Sequence, residues 1–271
     1  MKTTLSTVFG YLYSAAQPME PRGTLGRAVC LVRRCWATLQ RRMKPAVFLL
    51  RREAPLGAVP RAYARDLLIR LKLRRWPARG LFSLVWVPPE AVAYVQTGPP
   101  SAPFTKRGRL PDEAMGLRLG GDWDRAVTPI TETGVYTGLY QRFVEGRPWR
   151  ETCLHPEQFE REHPALSKKY RKLNERKFER KTTALDTLYH MLAEEGYNTA
   201  RGGRLPATDE PAVNVTRDGA LVRNTGGLHR LILCRLLNLP AVPVRVHVVH
   251  ADWNGKLPSV PAPERRAPQK R

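Results

Sequence analysis

The sequence predicts an α+β body that follows a basic, helical N-terminal arm. Near the C-terminus, two short β segments meet at Asp218-Gly219, which is the strongest short-range signal for a hairpin. An apolar helix and a valine-rich strand follow, so strands and helices alternate within one unit. In the first third of the chain, apolar residues recur at helical spacing beside dense arginine, which predicts the arm.

Charge is divided unevenly along the 271 residues. Residues 1–110 contain 20 basic and 4 acidic side chains, whereas residues 111–271 contain 26 and 20. The formal net charge of +22 therefore lies mostly in the first part, which favours a polyanionic partner there. The apolar content of 42% argues against a wholly disordered chain. No apolar run reaches the roughly 20 residues of a membrane-spanning helix, which predicts no transmembrane segment.

The predicted arm, residues 1–79, contains two basic amphipathic segments. From Leu25 to Arg42 and from Ala62 to Trp76, apolar residues fall on one helical face and basic residues flank it. Such helices bind an anionic membrane surface or the phosphates of DNA or RNA; alternatively, they pack on the body and expose arginine to water. The arginines predicted to contact a polyanion are Arg27, Arg33, Arg34, Arg41, Arg42, Arg74 and Arg75.

The predicted body, residues 80–253, begins with a buried strand within 80–89 and continues through a loop at 98–113. Aromatic residues at helical spacing predict a helix around 136–143, and a long helix or helix pair is predicted over 156–195 with its stop at Gly196. Residues 254–271 are rich in proline and basic side chains, which predicts a disordered tail.

The four cysteines indicate a reducing compartment. They are Cys30, Cys35, Cys153 and Cys234, and they form neither a CxxC pair nor a zinc-binding pattern with histidine. We therefore expect a cytoplasmic protein without a structural metal.

The region from 213 to 250 carries the most information. A hairpin over 213–224 leads through Thr225-Gly226-Gly227 into a helix over 228–239, which Pro240 cannot continue. The strand over 242–250 alternates valine with other residues, which predicts one buried face.

The turn before this helix has the composition of an anion site. Glycines let the backbone approach a ligand, and the first N–H groups of a helix have no internal acceptor. A cation in the first turn is unfavourable by itself, and a bound anion would compensate for it. Phosphate contacts are therefore predicted at Gly226, Gly227, His229 and Arg230. An internal ion pair that holds Arg230 away from the turn would rule out a catalytic role. The alternative is a loop with Arg230 in solvent and His229 packed on the hairpin.

Four acids are candidates for proton transfer or Mg²⁺ binding: Asp122, Asp124, Asp209 and Glu210. On a strand, Asp122 and Asp124 would share one face and could bind a metal; alternatively, they form a polar turn capped by Trp123. Glu210 precedes the hairpin and could equally be a loop charge. His247 and His250 fall on opposite faces of a regular strand and would not share a metal.

The stretch from Val213 to Trp253 resembles the C-terminal part of the ParB/sulfiredoxin-like domain. It is most similar to a branch that ends in a strand, a His and a Trp, here His250 and Trp253. Two further blocks follow the same order: Gly121–Asp124, and the spaced set Phe143, Gly146, Trp149 and Thr152. The resemblance thus covers about 80–253.

This resemblance implies a small mixed sheet with packed helices that binds ATP or CTP, with phosphate contacts at Gly226, Gly227, His229 and Arg230. It implies a possible Mg²⁺-dependent phosphotransferase or NTPase. Leu228 stands where sulfiredoxins have their cysteine, which excludes that chemistry, and Gly226 stands where the branch often has Asp. No helix-turn-helix pattern follows Trp253, which argues against chromosome partitioning. The competing hypothesis is a non-enzymatic protein that binds nucleic acid or an anionic membrane through its N-terminal arginines.

Overall fold

The computed structural model describes residues 58–99, 101, 103–105, 107–158, 175–197 and 210–263. The helix predicted over residues 25–42 lies outside the described residues. The predicted polyanion contacts within it also lie outside: Arg27, Arg33, Arg34, Arg41 and Arg42.

A seven-stranded mixed sheet organises the fold. The strands are β1 (Leu84–Val87), β2 (Tyr94–Gln96), β3 (Arg118–Leu119), β4 (Val127–Pro129), β5 (Ala212–Val215), β6 (Leu221–Thr225) and β7 (Val242–His250). Their order is β1-β7-β5-β6-β2-β4, with β3 also pairing with β7. Strands β3 and β5 run parallel to β7, and β1 runs antiparallel to it. The predicted α+β class with a mixed sheet is thus confirmed.

Helices cover this sheet: α1 (Ala58–Arg70), α2 (Gly134–Phe143), α3 (Glu175–Glu195) and α4 (Leu228–Leu236). Both α2 and α3 pack on α4, and the main core unites Leu139, Leu192 and Leu231 with valines of β5 and β7. Helix α3 ends as predicted at Gly196, whose φ is +69° and whose N–H donates to the carbonyl of Leu192. No helix among the described residues is long and apolar enough to cross a bilayer.

Strand β7 is buried along its whole length, and the predicted single buried face is wrong. It has strand neighbours on both edges, and apolar clusters cover both faces. A bulge also interrupts its alternation, because Val213 pairs with Val246 whereas the next residue, Asn214, pairs with Val248. Val249 therefore joins Val246 in the main core, and Val248 packs in a separate cluster.

His247 lies within this irregularity and His250 follows it, so the expectation of opposite faces, which assumes strict alternation, does not apply. His247 Nε2 lies 3.1 Å from the carbonyl oxygen of Pro111, and His250 Nε2 lies 2.9 Å from that of Gly121. Both rings thus bind backbone of the 111–121 segment. No metal-binding group of three His, Cys, Asp or Glu side chains occurs within the described ranges.

Helix α1 packs on the body through its less apolar side. Ala62, Asp66 and Ile69 are buried, and Asp66 Oδ1 accepts a 2.9 Å hydrogen bond from the N–H of Leu81. The helix begins at Ala58 and ends at Arg70, because Lys72 adopts a left-handed conformation with φ of +59°. The predicted span of Ala62–Trp76 is therefore wrong at both ends. This part of the predicted arm shares one compact unit, Phe48–Arg271, with the sheet.

The start of the predicted disordered tail is attached to the body. Residues 254–263 form no helix or strand, but Leu257 packs against the main core and the N–H of Val260 donates to the carbonyl of Trp86 at 2.9 Å. Apolar contacts and a hydrogen bond to the edge strand β1 explain why this Pro-rich stretch stays on the surface. Residues 264–271 lie outside the described residues.

We expect Thr133→Ala to lower the free energy of unfolding by about 1 kcal/mol, because Thr133 is the N-cap of α2. Its Oγ1 accepts from the N–H of Tyr136 at 3.2 Å and donates to the carbonyl of Ile130 at 2.7 Å. Urea unfolding measures the change. Thr183→Ala, on the exposed side of α3, is the matched control and should be neutral, because alanine favours the helix interior. Equal losses in both variants would contradict a specific capping role.

Candidate anion-binding site

The candidate site lies at the turn between β6 and α4, where the predicted order of hairpin, glycine turn, helix and strand is confirmed. Gly226 and Gly227 have φ of +73° and +51°, which glycine adopts without strain. A Cβ on Gly227 would lie 2.5 Å from Cγ of Pro211, so this position also lacks room for a side chain. Helix α4 ends at Leu236 instead of Leu239, because Asn238 takes a left-handed conformation and Leu239 N–H returns to the carbonyl of Cys234.

The N-terminus of α4 has no side-chain cap among the described residues. Its N-cap is Gly227, which offers no side chain, and the cap makes no side-chain hydrogen bond with any described residue. The first intrahelical bond runs from the N–H of Leu231 to the carbonyl of Gly227 at 2.9 Å. The N–H groups before Leu231 precede this bond and point out of the helix, with the positive end of the helix dipole.

Arg230, a predicted phosphate contact, forms an internal ion pair. Its Nη1 lies 3.0 Å from Oε2 of Glu210 and donates to the hydroxyl oxygen of Tyr197 at 3.2 Å. Tyr197 in turn donates to the same carboxylate oxygen. Glu210, the predicted catalytic acid, is therefore paired with Arg230, the predicted phosphate contact. Nη1 of Arg230 binds groups of the protein itself.

Burial determines the ionisation of this cluster. The Glu210 side chain is fully buried, and the Arg230 side chain is 16% exposed. Burial, followed by the charge of Glu210, raises the pKa of Tyr197, so the hydroxyl stays neutral and donates. Burial and Glu210 also raise the pKa of the Cys234 thiol, which therefore stays protonated. The cluster ties the segment after α3 and the residue before the hairpin to the first turn of α4.

Basic side chains surround the same turn. Arg223 Nε donates to the carbonyl of Gly226 at 3.0 Å, and Arg109 Nη1 donates to Oγ1 of Thr225 at 2.6 Å. Burial, followed by the charges of Lys181 and Arg223, lowers the pKa of His229 to about 4. His229 is thus neutral at pH 7, and two cations act on it beside the turn.

One ring nitrogen of His229 is also buried in this region. Its Nε2 is buried and has no hydrogen-bond partner among the described residues. Unpaired buried polar atoms are costly and indicate a missing acceptor or donor.

Arg109, Arg223 and Lys181 are not among the site residues predicted from the sequence. Arg223 could have been found, since it lies two residues before the end of β6 and so near the turn that β6 enters. Arg109 and Lys181 come from a loop and from α3, and only the tertiary fold brings them to this point.

Asp122 and Asp124 form a polar turn, not a strand, with the 3₁₀ segment Trp123–Arg125. Both bind Arg217 at the tip of the hairpin: its Nη2 lies 2.8 Å from Oδ1 of each carboxylate. Burial raises the pKa of Asp124, but hydrogen bonds from Arg217 outweigh it and lower the pKa to about 2. The pair therefore anchors the hairpin tip.

These two carboxylates are remote from the glycine turn. They contact Arg217, before β6 begins, whereas the turn follows its last residue, Thr225. The five residues of β6 separate the two sites by roughly 16 Å at about 3.3 Å per residue. Glu210 is the predicted catalytic acid that does lie near the turn, and its carboxylate is bound to Arg230. Asp122 and Asp124 therefore do not converge with Glu210, and these three acids do not fit a shared Mg²⁺ site. Asp209 lies outside the described residues.

The chain matches no known protein family, no curated protein and no solved structure. The resemblance to the ParB/sulfiredoxin-like domain therefore stays a prediction.

We expect Glu210→Gln to lower the free energy of unfolding by about 3 kcal/mol, because removing one member of a buried pair leaves Arg230 without its counter-charge. Thermal or urea unfolding measures this loss. Asp186→Asn is the matched control, because its ion pair with Arg142 lies at about 30% exposure and should contribute less. A Glu210→Gln variant as stable as the parent protein would show that the pair does not hold α4 in place.

Proposed function

We propose that this protein binds the phosphate groups of a nucleotide, ATP or CTP, at the turn between β6 and α4. One observation carries the proposal: an uncapped helix N-terminus follows two left-handed glycines and lies among Arg109, Arg223 and Lys181. A helix N-terminus offers N–H donors and a positive dipole to a phosphate, and arginine binds phosphate with charge-assisted hydrogen bonds.

The chemistry of such a complex follows from these groups. Phosphate oxygens would accept from the backbone N–H groups before Leu231, where glycine permits close approach. Arg223 and Arg109 would supply charge-assisted hydrogen bonds from the preceding strand and loop. The buried Nε2 of His229 would gain a partner as an N–H donor. Arg230 has a positioning role in this proposal, because it holds the helix start through Glu210 and Tyr197.

The resemblance to the ParB/sulfiredoxin-like domain supports a nucleotide over a simple anion, since that family binds nucleotide phosphates at the corresponding turn. The proposal stops at binding. A phosphotransferase or NTPase step would need an acid or metal beside the phosphate, and Glu210 is buried and paired with Arg230.

We expect Arg223→Gln to weaken ATP or CTP binding at least tenfold, because it removes one charge-assisted contact. Isothermal titration calorimetry of the full chain with each nucleotide, and with inorganic phosphate, measures the affinity. Arg235→Gln is the matched control, because Arg235 lies in the last turn of the same helix. Failure of both nucleotides to bind at millimolar concentration would refute the proposal, as would equal losses in the two variants.

We also expect nucleotide binding to raise the pKa of His229 from about 4. A bound phosphate offsets the positive potential of Lys181 and Arg223, so the protonated ring becomes more stable. By linkage, affinity should rise as the pH falls from 7 through the raised pKa of the complex. NMR titration of the histidine rings, with and without nucleotide, measures the change. His190, exposed on α3, is the internal control; an unchanged His229 titration in the complex would place the phosphate elsewhere.

A further inference from the structure

Helix α1 exposes a cluster of leucines on the side that faces away from the body. Leu67, Leu71 and Leu73 are 56%, 57% and 72% exposed, and Leu68 is 42% exposed. The residues that α1 buries, Ala62, Asp66 and Ile69, lie on the other side of the helix. The apolar face that the sequence predicts therefore does not contribute to the core. Four exposed leucines within seven residues form a continuous apolar patch, and such patches mark interaction sites.

The C-terminus of α1 extends this leucine face beyond the last helical turn. Lys72, with φ of +59°, occupies the left-handed position where glycine is usual. Its N–H donates to the carbonyl of Ile69 at 3.0 Å, and the N–H of Leu73 donates to that of Leu68 at 2.9 Å. This pattern places Leu73 next to Leu68 and so adds a fourth leucine to the face. Lys72 therefore ends the helix and also places a positive charge beside the leucines.

Basic side chains lie among the leucines and directly after them. Lys72 and Arg75 are exposed, and Arg74 is half-buried. Partial burial lowers the pKa of Arg74, and the charges of Arg65 and Arg118 lower it in the same direction, which shows that positive charge accumulates at this end of the helix. Arg74 and Arg75 are the two predicted polyanion contacts that fall within the described residues.

We infer that the leucine face of α1, Leu67, Leu68, Leu71 and Leu73, docks on an anionic lipid surface. Leucines bordered by lysine and arginine match the acyl boundary and the phosphate-bearing headgroups of such a surface, with the long basic side chains reaching the headgroups. A nucleic-acid backbone would engage the cations and leave the leucines exposed to water.

Charge argues against a second copy of the chain and against residues 1–57 as the occupant of this face. A second copy would bring a further net charge of +22 against this basic end. Residues 1–57 carry ten basic and two acidic side chains, so that segment has the same sign of charge. Opposite charge is available from acidic lipid headgroups, each of which attracts nearby lysine and arginine.

Vesicle co-sedimentation of the full chain tests this inference. The vesicles are phosphatidylcholine alone, or phosphatidylcholine with phosphatidylserine. We expect binding to the serine-containing vesicles, and at least a tenfold lower partition coefficient for the variant Leu67→Ser/Leu71→Ser/Leu73→Ser, because three inserted side chains are lost. The control is Tyr140→Ser/Val144→Ser, which changes exposed apolar residues on and after α2 and should bind like the parent. Circular dichroism verifies that both variants melt like the parent, as exposed substitutions should.

Two results would overturn the inference. One is equal vesicle binding by the leucine variant and the parent, which would assign any membrane affinity to another part of the chain. The other is a parent protein that fails to bind the serine-containing vesicles, whether or not it binds duplex DNA in a parallel assay. Nucleotide binding by the turn after β6 is independent of both results, since these substitutions lie on α1.

Discussion

The ion pair between Glu210 and Arg230 is the constraint on which the site depends. A carboxylate with no exposure needs a counter-charge and further hydrogen bonds, and Arg230 and Tyr197 provide them. These three residues come from the entry to the hairpin, the first turn of α4 and the segment after α3. Their association therefore fixes the direction in which α4 leaves Gly227. The N–H groups before Leu231 are oriented by that contact, and any ligand at the turn benefits from it without touching it.

The hairpin is held at its other end by a pair of acids. Arg217 binds Asp122 and Asp124, and Asp124 is nearly inaccessible to solvent. Ion pairs therefore anchor strands β5 and β6 at both ends of the hairpin. At the tip, Arg217 of the hairpin binds Asp122 and Asp124 from another segment. At the base, Glu210, which precedes the hairpin, binds Arg230 of α4. Such anchoring leaves little freedom for the glycine turn, which suits a preorganised site.

Local patterns predicted much of this fold. Three elements depend only on glycine conformation and on apolar spacing within a few residues, both of which can be read from the sequence. They are the hairpin, the helix stop at Gly196 and the short helix after Gly227. The side of α1 that meets the body could not be predicted, because Asp66 is buried by a hydrogen bond to the backbone of Leu81 while leucines remain exposed. Likewise, the candidate acids were recognised by residue type. Their separation could not be predicted, because it depends on which acids Arg217 and Arg230 bind in the folded protein.

The bulge in β7 determines how the side chains of this enclosed strand are divided between its two faces. The additional residue at 246–248 reverses the orientation of everything that follows, so Val249 faces the same interior as Val213 while His250 meets the carbonyl of Gly121. Removing the additional residue, His247, would leave Val248 and Val249 paired with Asn214 and Val215, and the strand would lose the imidazole that lies against the carbonyl oxygen of Pro111. The bulge therefore adds a polar side chain to an enclosed strand without changing the pairing of the residues that follow.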